Sequence, residues 1–158
     1  MNMLVNKMSE RFKTPCAVML MLMRKTETGE EILLQKRQNT GFADGFYDFS
    51  ASGHVEDNET MKVAMCREAK EELNIDINPE DLEFICLIHK NLGRGIYVNV
   101  YFKATKWNGK PIINEPHKNA EIKWFNIKEL PENLINDRIE AIHNYKENIK
   151  YCEYGWKL

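Results

Sequence analysis

Residues 53–75 read GHVEDNETMKVAMCREAKEELNI: a glycine, a polar loop, then the strongest helical pattern in the chain. Met61, Ala64, Met65, Ala69 and Leu73 recur near helical spacing, as on a helix that buries one face. The pattern predicts a helix over 59–73, with Asp57 or Asn58 capping its start. Asn74 stands where a left-handed residue ends a helix, and asparagine tolerates that conformation better than other non-glycine residues. Pro79 lies beyond the end.

The polar side of this helix is unusual. Glu68 and Glu72 are four apart, and Glu68 and Glu71 three apart, so three carboxylates are expected on one face. Like charges at that spacing repel, by roughly 0.2–0.5 kcal/mol per pair on an exposed helix. A hard divalent cation, which prefers oxygen ligands, offers one compensation. A merely solvated acidic face is the other reading. Arg67 can pair with Glu59, two turns upstream, or with Glu71, and so orient the acids.

Outward from the helix, Ala17 to Met23 (AVMLMLM) and Glu31 to Lys36 (EILLQK) flank the turn signal TETGE. They predict a hairpin whose strands are apolar enough to lie inside a sheet covered on both faces. Gln38 to Tyr47 is a loop with two glycines and three aromatics, and Asp48 to Gly53 is a short strand. Glu83–His89 and Ile96–Ala104 are strands around the turn Asn91–Gly95. In the second, Ile96, Val98, Val100 and Phe102 face one way and Tyr97, Asn99, Tyr101 and Lys103 the other. Trp107 to Lys118 is a loop, Ile122 to Asn126 a final short strand, and Ile135, Ile139, Ile142, Tyr145 and Ile149 mark a C-terminal helix. The order predicts an α+β fold with a mixed sheet between a central and a C-terminal helix, an α/β/α sandwich.

The length, 158 residues, suits one domain over 1–158, with 1–12 a flexible N-terminal segment. With 43% hydrophobic and 29% charged residues, wholesale disorder is excluded. The net charge of -2 provides no basic excess, so a nucleic-acid strand is not an expected partner. Cys16, Cys66, Cys86 and Cys152 form no CxxC pair, which excludes a zinc ribbon and favours free thiols. The start has no continuous apolar stretch, and the longest apolar run is too short to span a bilayer. A cytoplasmic protein without a membrane partner is the expectation.

Gly53, Glu59, Arg67, Glu68, Ala69, Glu71, Glu72 and Ile75 resemble the Nudix box in residue type and spacing. That box runs Gly, five residues, Glu, seven residues, then Arg-Glu-apolar-x-Glu-Glu-x-Gly-apolar. One position departs: Asn74 replaces the last glycine. Leu33–Arg37, the loop NTGFADG (39–45), the small residues 50–53, Trp124-Phe125 and Glu129-Leu130-Pro131 are also similar to small, MutT-like nucleotide-hydrolysing members. The likeness covers about residues 15–149, though only the box is specific.

The resemblance implies a Mg²⁺-dependent hydrolase, with Mn²⁺ an alternative ion, that cleaves the pyrophosphate bond of a nucleoside diphosphate linked to another group. It implies Glu68, Glu71 and Glu72 as metal ligands, with the Ser52 carbonyl as a further one. Glu68 is the candidate base, oriented by Arg67; Glu115, in a distant loop, is the alternative base. Arg37 suits a phosphate oxygen, because its planar fork matches phosphate geometry. Glu59 and Glu115 join it on the substrate side. Phe42, Phe46, Tyr47, Tyr97 and Trp124 are candidates to stack a base, and Asn133, Asn136 or Asp137 to read its edge. A nucleoside triphosphate, normal or oxidised, is the first substrate. ADP-ribose, a nucleotide sugar and a non-catalytic nucleotide sensor are the alternatives. A homodimer is compatible with the apolar strands and aromatic tail.

Overall fold

The computed structural model describes residues 11–157. The expected flexible segment therefore falls mostly outside the described residues. The elements are β1 (Cys16–Thr26), β2 (Gly29–Arg37), β3 (Tyr47–Phe49), β4 (Ala51–His54), α1 (Met61–Leu73), β5 (Glu83–Asn91), β6 (Ile96–Ala104), β7 (Asn119–Asn126), α2 (Asn136–Glu147) and β8 (Tyr151–Tyr154). They form a mixed sheet in the order β3-β2-β1-β6-β5-β8, with β4 beside β1 and β7 beside β2. β1 runs parallel to β6 and β5 parallel to β8; the other pairs are antiparallel.

The β1–β2 hairpin forms as its turn chemistry predicts. Thr26 pairs with Gly29, whose φ of +126° is reserved for glycine. Before the turn, β1 is apolar at every position from Ala17 to Met23 because both faces are covered there. Val18, Leu20 and Leu22 pack with Ala64, Met65, Ala69 and Leu73 of α1. Ala17, Met19, Met21 and Met23 pack with Ala141 and Ile142 of α2. All seven β1 side chains are buried, and complete burial of each large one stabilises by roughly 1.5–3 kcal/mol. The sandwich expected from the pattern is thus present, with α1 and α2 on opposite faces.

Three local expectations need correction. First, α1 begins at Met61, and its cap is Thr60, whose hydroxyl accepts from the Val63 N–H at 3.2 Å. Neither Asp57 nor Asn58 caps it; Asp57 is bonded to the Asn58 amide instead. Second, the α2 stripe is only partly apolar. Ile139 and Ile149 are exposed, while Asp137, Arg138 and Asn144 are buried. The buried charges are tolerated because they are paired. Arg138 meets Asp48 at 2.6 Å and Asp137 at 3.0 Å, and Lys90 meets Asp137 at 2.7 Å. Third, β7 is not the last strand: β8 follows α2 and adds to the β5 edge. Trp156, just past β8, lies against His89 and donates its indole N–H to the His89 carbonyl at 2.9 Å.

The four cysteines are free, and no described helix is long and apolar enough to cross a membrane.

Candidate active site

Two elements build the site. β4 carries Ser52 and Gly53 beside β1, and α1 packs across them. A methyl group on Gly53 would lie 1.9 Å from the Glu68 carboxylate, so only glycine lets that side chain lie against the strand. One residue earlier, the Ser52 N–H donates to Glu72 Oε2 at 2.6 Å. The box glycine is therefore a matter of space at the helix–strand contact.

The far end of α1 is held equally firmly. Asn74 adopts φ 55°, ψ 36° and donates its N–H to the Lys70 carbonyl, which a glycine at this position would also do. The carbonyls of Glu71, Glu72 and Leu73 accept from the Asn114 side chain, the Asn114 N–H and the Ile112 N–H, at 2.8, 3.1 and 3.1 Å. These bonds satisfy the helix end. They also bring the 112–119 loop, with Glu115, to the acidic side of α1.

Arg67 is the hub of the charges. Its Nε and Nη2 grip Glu59 at 3.1 and 2.8 Å, and its Nη2 also donates to the His54 carbonyl at 3.1 Å. Its Nη1 donates to Glu68 at 2.8 Å and reaches Glu71 at 3.4 Å. Glu59 is braced in turn by the Glu56 N–H at 2.7 Å. Arg67 thus bonds both Glu59 and Glu71, where the sequence left the partner open. The hydrogen bond from Arg67 holds Glu59 below the usual carboxylate range.

The other acids shift upward. Burial raises Glu68 despite the Arg67 contact that opposes it. Glu72 is pushed up to about 8, first by burial and then by the nearby charges of Glu68 and Asp48, while the Ser52 N–H works against the shift. Two carboxylates are therefore kept where negative charge is poorly tolerated. Hard oxygen donors in such a setting fit a hard divalent cation, which would relieve the penalty. The expected convergence of all three acids is corrected in one respect. Glu71 points outward, with its side chain 55% exposed. Among the described residues no three acidic, histidine or cysteine side chains are already gathered as a metal-binding set.

The remaining candidates sort clearly. Glu115 is ion-paired to Lys118 at 2.9 Å, and its charge contributes to raising Glu68, so it belongs to the acidic neighbourhood. Arg37 is engaged elsewhere: it bonds Asp48 at 3.1 Å, the Phe42 carbonyl at 2.9 Å and Thr40 at 3.0 Å. These contacts organise the 38–47 loop, and its fork is not left open for a phosphate. Tyr47 is buried edge-on to Phe125, and Trp124 is sandwiched between Trp107 and Arg24. Asn133 bonds the Gly45 carbonyl, and Asp137 is tied to Lys90 and Arg138. Phe42 and Tyr97 instead line an open cavity beside Ser52 and Gly53. Asn99 of β6 borders the same cavity and is itself fully buried.

The model of the NUDIX domain family matches residues 13–145. The NAD-capped RNA hydrolase NudC of Stutzerimonas stutzeri is 27% identical over 103 residues, 65% of this chain. That match spans only 34% of the relative, about a third of its length. A MutT NUDIX hydrolase from Burkholderia pseudomallei has a similar fold, with TM-score 0.74 and 23% identity over 84% of this chain and 98% of that one. The NUDIX domain of Shewanella oneidensis NrtR, solved with ADP ribose, gives TM-score 0.68 and 19% identity over 89% and 91% of the two chains.

Proposed function

The chain belongs to the NUDIX family, and from that premise we propose that it is a Mg²⁺-dependent pyrophosphohydrolase whose substrate is a nucleoside triphosphate, cleaved to the monophosphate and pyrophosphate. One observation carries this reading. Glu68 and Glu72 are desolvated against β4 while Arg67 grips Glu59 and Glu68 together. Burying two carboxylates costs stability, and a cation held between them would offset that cost.

In this reading Glu68, Glu71, Glu72 and the Ser52 carbonyl hold the ion. When bound, the ion lowers the pKa of a coordinated water and neutralises phosphate charge. Glu68 accepts the proton of the attacking water. Arg67 keeps that carboxylate oriented, and Glu59 keeps Arg67 in place, so Glu59 is a positioning residue and not a substrate contact. Glu115, braced by Lys118, is the alternative base. Arg37 shapes the loop that carries Phe42. The site suits a dissolved small nucleotide, consistent with a cytoplasmic enzyme, and a homodimer is compatible with it.

The test is a panel of normal and oxidised nucleoside triphosphates, ADP-ribose, NAD, dinucleoside polyphosphates and nucleotide sugars, incubated with and without Mg²⁺. Metal-dependent release of monophosphate and pyrophosphate from a triphosphate supports the proposal. Turnover confined to ADP-ribose, NAD or a nucleotide sugar moves the substrate but keeps the chemistry. No product from any of them would refute the enzyme reading and favour a nucleotide sensor.

A further inference from the structure

Lys118 stands just before β7, at the end of the loop that reaches the acidic side of α1. Its ammonium donates to the Glu115 carboxylate at 2.9 Å. That bond raises Lys118 above its ordinary range, and the negative charges of Glu72 and Glu68 add to the rise. The ammonium therefore lies in the field of the same carboxylates that the proposed ion requires. Arg37, the other cation considered for phosphate, is already engaged by Asp48, Phe42 and Thr40.

The backbone under Lys118 is fixed from two sides. Asn114 and Ile112 bond the carbonyls that end α1. The Gln38 side chain donates to the Pro116 carbonyl at 2.7 Å, and the Asn39 side chain to the His117 carbonyl at 3.1 Å. The Gln38 N–H donates to the Lys118 carbonyl at 2.8 Å. Within the turn, the N–H groups of Lys118 and Asn119 both donate to the Glu115 carbonyl, at 3.0 and 3.1 Å. The side chain, by contrast, is 49% exposed. An exposed ion pair contributes little to stability, so the Lys118–Glu115 contact opens easily. A lysine ammonium is a compact charge with three rotatable donors, which suits phosphate oxygens.

This placement works in opposite directions on two ligands. An ammonium beside Glu68 and Glu72 repels a bare divalent cation, yet it attracts a polyphosphate chain that carries one. We propose that Lys118 exchanges Glu115 for the phosphate chain of the substrate, so that it opposes the bare metal and favours the metal-bound nucleotide. The inference rests on the nucleotide-hydrolase reading and names a substrate contact within it.

The test compares the wild type with Lys118→Met, which keeps the length and removes the charge, and Lys118→Arg, which keeps the charge. Mn²⁺ alone is titrated into each full chain and followed by electron paramagnetic resonance. The complex of Mn²⁺ with inorganic tripolyphosphate, which has no base, is titrated by calorimetry. Steady-state rates are measured on a hydrolysed triphosphate. Lys118→Met should bind Mn²⁺ alone roughly 2- to 5-fold more tightly, as when one unit charge several ångströms away is removed in water-like surroundings. It should bind the tripolyphosphate complex roughly 10- to 100-fold less tightly, the range for a charge-assisted hydrogen bond. KM for the triphosphate should rise by a similar factor with kcat little changed. Lys118→Arg should restore most of each difference. A lysine that merely braces the loop would move both affinities the same way or neither. Either of those results overturns the inference. If triphosphates are hydrolysed under such a result, the function stands and Lys118 is not the phosphate contact. If the wild type hydrolyses no nucleotide but the two affinities still move in opposite directions, the hydrolase reading fails and the polyphosphate contact stands.

Discussion

Replacing Glu72 by glutamine removes a charge while keeping the shape of the side chain. In the folded protein Glu72 titrates near pH 8, against an ordinary value of 4.5. The folded state therefore binds a proton that the unfolded chain has already released. Its stability is intact below pH 4.5 and is lost progressively as pH rises toward 8. Each pH unit in that window costs folding about 1.4 kcal/mol, so at pH 7 the penalty approaches about 3 kcal/mol. Glutamine has no proton to take up, and its carbonyl still accepts the Ser52 N–H. Metal-free Glu72→Gln should thus be more stable than the wild type at pH 7, by up to about 3 kcal/mol, or on the order of 5–10 °C in Tm for a chain of this size. The gain should vanish near pH 4.5. Millimolar Mg²⁺ should raise the wild-type Tm, more at pH 8 than at pH 6 because the proton competes with the ion, and should leave the variant unmoved. Calorimetry over pH 4.5–8.5, with EDTA and with Mg²⁺, reads all of this. A variant that is less stable at pH 7, or a stability difference that does not change with pH, would refute the claim that burial keeps Glu72 protonated at the expense of folding.

Other outcomes follow from the same contacts. Gly53→Ala should cut turnover and weaken Mn²⁺ binding at least tenfold with little loss of stability by urea unfolding, because the new methyl meets only the flexible tip of Glu68 and displaces its carboxylate. Arg67→Lys should lower kcat roughly 10- to 100-fold with little change in KM, since one ammonium cannot hold Glu59 and Glu68 together; equal effects on KM would mean that Arg67 touches substrate. Asn74→Gly should be neutral or slightly stabilising and Asn74→Ala should cost about 1 kcal/mol, because the backbone there is left-handed. Arg138→Met should cost roughly 3 kcal/mol by leaving Asp48 and Asp137 short of a partner, with activity falling only as far as the folded fraction does.

What was legible in the sequence follows the reach of its physical signals. The hairpin at Gly29, the apolar run of β1 and the stripe of α1 are local patterns, and each folds as its period dictates. The acids of α1 were legible as a spaced motif. Their separate environments were not, because the strand that desolvates Glu72 and Glu68 and the loop that brings Glu115 lie at a distance in sequence. α2 was misread in part for the same reason: Asp137 and Arg138 look like a solvated face until Lys90 and Asp48 arrive from β5 and β3. β8 has no apolar run, only alternating half-buried and exposed residues at a sheet edge. The cap at Thr60 lost to two equally plausible neighbours.

The account stands on the claim that the α1 carboxylates hold a divalent cation. Titration of Mn²⁺ into the full chain, followed by electron paramagnetic resonance, tests it most directly, with Glu68→Gln and Glu72→Gln beside the wild type. The wild type should bind the ion, and each variant should lose at least tenfold in affinity while remaining folded. Equal affinity in all three proteins would contradict the account.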